Sequence, residues 1–240
     1  MITLVTYPAM GNAFSLSPFC CKAAFMLDYA GVEWQREDSN DPRKAPYGKL
    51  PCIKTESGQI IGDSDAICRY LEGQGVDFQN GLNDEQKAVS RAFVRMAEEH
   101  LYFHILLDRW EDPKVWRVIR AMYFKDIPAP VRNWIANGLR RTVLNGMSVQ
   151  GIRRFSPKDR LERVEQDLKA VSDMLWRGPF LCGEAVSLVD FSMAPMLNAM
   201  RQTPVETPLA LRIAGDPILV AYIARVEDSV RHSEPDRHIA

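Results

Sequence analysis

Apolar positions along the chain follow two regimes, and the change falls near residue 75. In the first regime, short apolar runs alternate with one longer amphipathic stretch. Ile2–Thr6 is apolar and β-branched, the pattern of a buried strand. Residues 7–16 carry Pro8, Gly11 and Asn12 and read as a loop. From Pro18 onward, Phe19, Ala23, Met26, Leu27 and Ala30 recur near helical spacing up to Gly31, which predicts a helix. Residues 32–36 predict a second strand. Residues 38–49, broken by Pro42, Pro46 and Gly48, predict irregular or weakly helical chain. Residues 52–55 and 59–61, either side of Glu56-Ser57-Gly58, predict a β-hairpin, and residues 64–71 a helix stopped by Gly73 and Gly75.

The order β-α-β-(α)-β-β-α is a thioredoxin-like arrangement, here assigned to residues 1–75. Three glycines between Gly73 and Leu82 mark residues 76–82 as a linker. Beyond it the pattern changes to helical periodicity throughout. A long helix capped by Asn83 is expected over 83–110, with further helices over 113–125, 130–145, 157–176, 188–203 and 217–231. The expected fold is therefore an α/β thioredoxin-like N-terminal domain followed by an all-α helical domain of residues 83–240, with a frayed tail over 235–240. The aromatic-rich stretch Trp110, Trp116, Tyr123, Phe124 and Trp134 reads as core or interface packing.

Composition narrows the function classes. Apolar residues make up 46% and charged residues 25%, ordinary for a globular protein. A net charge of -1 gives no electrostatic case for nucleic acid or an anionic membrane. No apolar run approaches the ~20 residues of a membrane span, and MITLVTYPAM lacks the basic start and apolar core of a signal peptide. Five scattered cysteines (Cys20, Cys21, Cys52, Cys68, Cys182) argue for a reducing compartment and a cytoplasmic location. His100, His104, His232 and His238 have no zinc-site spacing, so no metal is expected; His100 and His104, one turn apart, read as cleft-lining or domain-contact groups.

The chemistry gathers in the first 75 residues. In Ser17-Pro18-Phe19-Cys20, Ser17 suits a helix N-cap and Pro18 the first helical position. The spacing is that of a Cys-x-x-Cys redox site with serine in the first place. A helix N-terminus stabilises a thiolate, so the thiol is expected to arrive with a ligand. Lys49-Leu50-Pro51 precedes the hairpin, where a cis proline would turn the Leu50 backbone toward an extended peptide. In Gly62-Asp63-Ser64-Asp65, Ser64 reads as a cap whose N–H cluster suits a carboxylate, and Asp63 as acceptor for an ammonium group. Together these describe a site for a γ-glutamyl tripeptide thiol. Ser15, Tyr7 and Cys20 stay open as alternative sulfur contacts, and Cys20 also as a half-buried structural cysteine or a redox thiol.

With these motifs the chain resembles the cytosolic glutathione transferase superfamily. Ser187-Leu188-Val189-Asp190 looks like that family's capping box in its helical domain. Residues 41–51 and Gly151-Ile152-Arg153-Arg154-Phe155-Ser156 look like its failed-axon-connections and metaxin-like branch. The resemblance implies glutathione as co-substrate, with Ser17 hydrogen-bonded to its sulfur, Lys49, Leu50 and Pro51 along its backbone, and Asp63 and Ser64 at its γ-glutamyl end. It further implies a small hydrophobic acceptor between the domains and, commonly, a homodimer. Two other classes compete: a non-catalytic interaction module of the same fold, and a thiol-disulfide exchanger using Cys20.

Overall fold

The structure, a computed structural model, describes residues 1–9 and 13–231. Gly11 and Asn12 of the first loop, His232, His238 and the tail over 235–240 lie outside the described residues. A four-stranded sheet has the order β2-β1-β3-β4. Its strands are β1 (Ile2–Thr6), β2 (Trp34–Asp38), β3 (Cys52–Lys54) and β4 (Ile60–Gly62). Helix α1 (Pro18–Tyr29) is the crossover that makes β1 and β2 parallel, while β3 and β4 pair antiparallel. α2 (Ser64–Gly73) closes this half of the molecule.

β2 starts two residues later than the sequence pattern suggests. Gly31 turns the chain with a φ of 64°, and the Ile2 N–H bonds the Glu33 carbonyl at 3.0 Å, so ladder pairing begins at Ile2 opposite Trp34. Residues 38–49 hold two single 3₁₀ turns, Pro42–Lys44 and Pro46–Gly48.

The rest of the described chain is helical: α3 (Asp84–Met96), α4 (Tyr102–Trp110), α5 (Pro113–Tyr123), α6 (Ala129–Gln150), α7 (Pro157–Leu175), α8 (Leu188–Arg201), α9 (Pro208–Ala214) and α10 (Pro217–Arg231). The one helix expected over 83–110 is interrupted by a π-helical turn, Ala97–Leu101, between α3 and α4. Such turns add a residue to the helix and are frequent at functional sites. α9 went unpredicted, although Thr207 caps it and Pro208 opens it, both readable start signals. No described helix is long and apolar enough to cross a membrane.

One hydrophobic core joins the two halves. It runs from Leu4 and Ile53 in the sheet, through Met26 and Leu27 on α1, to Phe191 and Met196 on α8 and Tyr222 on α10. Each such side chain, fully buried, contributes about 1.5–3 kcal/mol, so α1 is fixed by the helical half as firmly as by its own sheet. The Ser187–Asp190 pairing forms as the sequence suggests: Asp190 accepts from the N–H groups of Ser187 and Leu181 and from the Tyr222 hydroxyl at 2.8–3.0 Å. Of the aromatic stretch, Trp110 stacks on Trp116 with ring centroids 5.0 Å apart, whereas Trp134 on α6 is 80% exposed and belongs to no core.

His100 and His104 bridge helices. His100 Nδ1 lies 2.5 Å from Asp167 on α7, and its Nε2 lies 3.5 Å from that of the buried His104. No metal-binding group of three side chains occurs among the described residues. Burial, then the charges of His100, Arg160 and Arg163, push His104 down to about 3. Below the ordinary histidine pKa of ~6.5 the unfolded chain therefore takes up a proton that the folded chain refuses. Stability should be flat in this residue above pH 6.5 and fall as pH drops toward 3, by up to ~1.4 kcal/mol per pH unit. Urea unfolding of wild type and His104→Asn between pH 7.5 and 4.5 checks it: the variant should lose part of the acid-side slope, and equal slopes would refute the assignment.

Candidate functional site

The N-terminus of α1 is built on a loop whose polar groups are nearly all committed. Ser17 is the N-cap, in extended conformation, and its Oγ accepts from the Cys20 N–H at 3.4 Å. Its own N–H donates to Oγ of the buried Ser15 at 3.3 Å. The Ser15 carbonyl accepts from Cys21 Sγ at 3.4 Å, and the Leu16 carbonyl from Arg109 at 2.5 Å. The half-buried Ser17 hydroxyl thus keeps its hydrogen to turn toward Cys20 Sγ beneath it or toward the cleft.

Cys20 connects this helix end to the cis-proline loop. It packs with Val5, Leu50 and Cys52, and with the partly buried Tyr7 and Ala45. The Leu50–Pro51 bond is cis. Leu50 and Pro51 are buried while Lys49 is exposed, so of the three only the lysine side chain reaches into solvent. The Pro51 carbonyl accepts from the Asp63 N–H at 3.2 Å, tying the loop to the start of α2. Gly62 is required there: a Cβ on it would stand 2.6 Å from Pro46 Cβ, so only glycine lets the 3₁₀ turn lie against β4. The structure therefore brings Ser17, Leu50, Pro51, Asp63 and Ser64 into one neighbourhood.

Two expectations need correction. Asp63, not Ser64, is the N-cap of α2; its Oδ1 accepts from the Asp65 N–H at 2.8 Å, and Ser64 is the buried first helical residue. The reason is the backbone: Asp63 sits at a φ of 78°, a left-handed conformation that aspartate tolerates by bonding its own chain. Cys20 is not half-buried but wholly enclosed. Burial pushes its thiol up, against lowering contacts from Thr6, Tyr7, Ser17 and Ser15, so it is a poor attacking group. Cys21 is likewise pushed up by burial, to about 12.

Two clusters escaped the sequence analysis. Lys22, one turn past Ser17, is 1% exposed and pairs with Glu98 of the π turn at 2.6 Å. Glu98 also accepts from Ser192 on α8 at 2.9 Å, and Asp65 of α2 stands 3.4 Å from Lys22 and 2.5 Å from Arg95. The readable signal was a lysine on the apolar face of α1, between Phe19, Ala23 and Met26. The second cluster is Arg109 with Tyr102 and Tyr123, which α4 and α5 present near Tyr7 and Cys20. Tyr102 meets Phe19 edge-on at 4.8 Å, and burial raises its phenol to about 12, so it stays a proton donor. A recess of about 350 Å³ lies away from Ser17, in the crease between α2 and α3, lined by Asp65, Arg69 and Arg91. Its lining mixes these charged groups with Cys68, Val94 and Leu188, and includes none of Ser17, Leu50, Pro51, Asp63 and Ser64.

The glutathione S-transferase N-terminal domain family matches residues 18–115 and the glutathione S-transferase C-terminal domain family residues 133–225. The first match opens one residue past Ser17. The isoprene-epoxide–glutathione S-transferase of Rhodococcus sp. strain AD45 is 29% identical over 232 residues, covering 94% of this chain and 98% of that protein. Failed axon connections of Drosophila melanogaster is 26% identical over 227 residues, covering 89% of this chain, which spans about half (54%) of that longer protein. Among solved structures, glutathione transferase GSTFuA3 of Phanerochaete chrysosporium has the same fold, with a TM-score of 0.63 at 17% identity over 98% of this chain and 97% of that one.

Proposed function

Since the chain belongs to the glutathione S-transferase superfamily, we propose that it conjugates glutathione to a small hydrophobic electrophile, with Ser17 donating to the thiolate. The observation that carries this reading is the Ser17 hydroxyl at the α1 N-terminus, its hydrogen uncommitted to any backbone group and its loop held on every side. Lys49 and the Leu50 backbone would hold the glycyl and cysteinyl parts, and Asp63 and Ser64 the γ-glutamyl end. The inward turn of Asp63 Oδ1 leaves Oδ2 for the ammonium group.

The energetics suffice. A free thiol has a pKa near 8.5. The helix end contributes ~0.3–1 kcal/mol, and a hydrogen bond to the charged sulfur ~1.5–3 kcal/mol. At ~1.4 kcal/mol per unit these bring the bound thiol near pH 7. The relative that acts on an isoprene epoxide makes an epoxide the first acceptor to try. Sulfur would attack a ring carbon, the C–O bond would break, and the alkoxide would take a proton. The Tyr102 phenol, protonated far above neutral pH, would supply it, and bulk water would return that proton. Most of the gain comes from holding both reactants together.

The similarity to failed axon connections supports a second reading, a module that holds glutathione or a partner without turnover. Exchange through Cys20 is disfavoured by its burial. Retention on immobilised glutathione followed by assay with an alkyl epoxide and an activated aryl halide separates these. Retention with conjugate formation is expected, retention without it supports the module, and absence of binding overturns the proposal.

A further inference from the structure

Arg109 is a cation buried without a carboxylate in direct contact among the described residues. It is 4% exposed. Its two terminal nitrogens donate to backbone carbonyls, that of Leu16 at 2.5 Å and that of Ala199 on α8 at 2.9 Å. Its Nε, also buried, has no hydrogen-bond partner among the described residues. Asp108, its neighbour in sequence, turns its Oδ2 to Thr203 and Thr207 instead, at 3.3 and 2.8 Å. Burying an ion costs several kcal/mol unless a counter-charge and hydrogen bonds offset it. Neutral carbonyls and the Tyr123 phenol satisfy donors without neutralising the charge, which Asp108 meets only without direct contact.

That charge sits at one place in the fold for a geometric reason. α4 carries it to the joint between α8 and the loop before α1, and Leu16 is the residue immediately before Ser17. The guanidinium therefore lies one peptide unit from the hydroxyl assigned to the sulfur, on the same side as the positive end of the α1 dipole. The groups that face it are Cys21 from α1, Tyr102 and Asp108 from α4, and Tyr123 from α5; Thr203 and Thr207, beyond α8, bond Asp108. The tyrosines and the cysteine are neutral at pH 7, since burial raises all three. Asp108 is the one carboxylate among them, and burial raises it too.

We infer that Arg109 is a positioning residue for the sulfur site, fixing the Leu16–Ser17 backbone and supplying the buried positive charge that a bound thiolate completes. This rests on the glutathione reading above and extends it: the thiolate is held by a helix end, a hydroxyl and a cation reached from the other half of the molecule. It also gives the helical half a direct part in setting the thiol's acidity.

The test is an ultraviolet titration of the thiolate of bound glutathione in wild type, R109K and R109Q, with folding checked by circular dichroism. Wild type should titrate near pH 7. R109Q keeps an amide donor but loses the charge, and its bound thiol should rise by about one pH unit, a tenfold loss of thiolate at pH 6. R109K keeps the charge on a shorter, unforked side chain and should fall between the two. An R109Q titration equal to wild type, or R109K displaced as far as R109Q, overturns the charge assignment. If R109Q does not fold, R109K alone decides: a partial rise supports the assignment and a wild-type curve overturns it. A wild type that binds glutathione without lowering its thiol pKa overturns the underlying reading together with this one. A lowered wild-type pKa that R109Q leaves in place overturns this inference only.

Discussion

Glu98→Ala should lower the unfolding free energy by about 3–5 kcal/mol, the scale for breaking a buried ion pair from one side. The substitution strands the Lys22 ammonium, 1% exposed, with only Asp65 at 3.4 Å, and removes the acceptor of the Ser192 hydroxyl. The pair spans the joint between α1 and the π turn, so its loss loosens the contact between the two halves as well as the stability of each. With a shift of ~2–4 °C per kcal/mol for a chain of this size, the melting midpoint should fall by roughly 10 °C. The double variant Lys22→Met/Glu98→Leu should recover most of that loss, because an apolar pair of similar volume has no charge to desolvate. Differential scanning calorimetry of the three proteins decides it. A loss under 1 kcal/mol in Glu98→Ala, or no recovery in the double variant, would show that Lys22 finds water or another carboxylate.

Ser17→Ala carries the second large effect. Removing a hydrogen bond to a charged sulfur costs ~1.5–3 kcal/mol, which is about one to two units in the pKa of the bound thiol. In the wild type kcat/KM should rise with pH and level off above the bound-thiol pKa near 7. In the variant the same rise should move toward 8.5, with kcat/KM at pH 6.5 reduced roughly 10- to 100-fold. The alanine also removes the cap of α1, worth ~1 kcal/mol, so the profile rather than the yield is the diagnostic. Tyr7→Phe and Ser15→Ala, run beside it, test the rival contacts. A displaced profile in either of them, with Ser17→Ala unmoved, reassigns the sulfur contact.

Much of the fold was legible because its signals are local. β-branched runs, the Ser17-Pro18 helix start, the Glu56-Ser57-Gly58 turn and the Ser187–Asp190 capping box each occupy a few neighbouring residues. The errors arose where a local signal met a constraint from elsewhere. Residues 32–36 look like a strand, but the ladder partner sets the register, and Ile2 pairs with Trp34. Serine and aspartate cap about equally well by type, and the turn after β4 gives the cap to Asp63. Trp134 is apolar and aromatic like a core residue, yet it stands 80% exposed on α6. The π turn has no sequence signature at all; it lies where Glu98 meets Lys22 of α1 and Ser192 of α8.

By itself the sequence determined the two regimes and most of the order of the elements, and it pointed to the residues proposed to meet a tripeptide thiol. These rest on propensity, capping and short motifs, which act over a few bonds. Only the tertiary structure decided which charges stand together. Lys22 and Glu98 are 76 residues apart, and Arg109 is 93 residues from the Leu16 carbonyl that it holds. Burial made both expensive to leave unpaired. Lys22 is answered by a carboxylate within the chain, and Arg109 is left facing the place assigned to a ligand's sulfur.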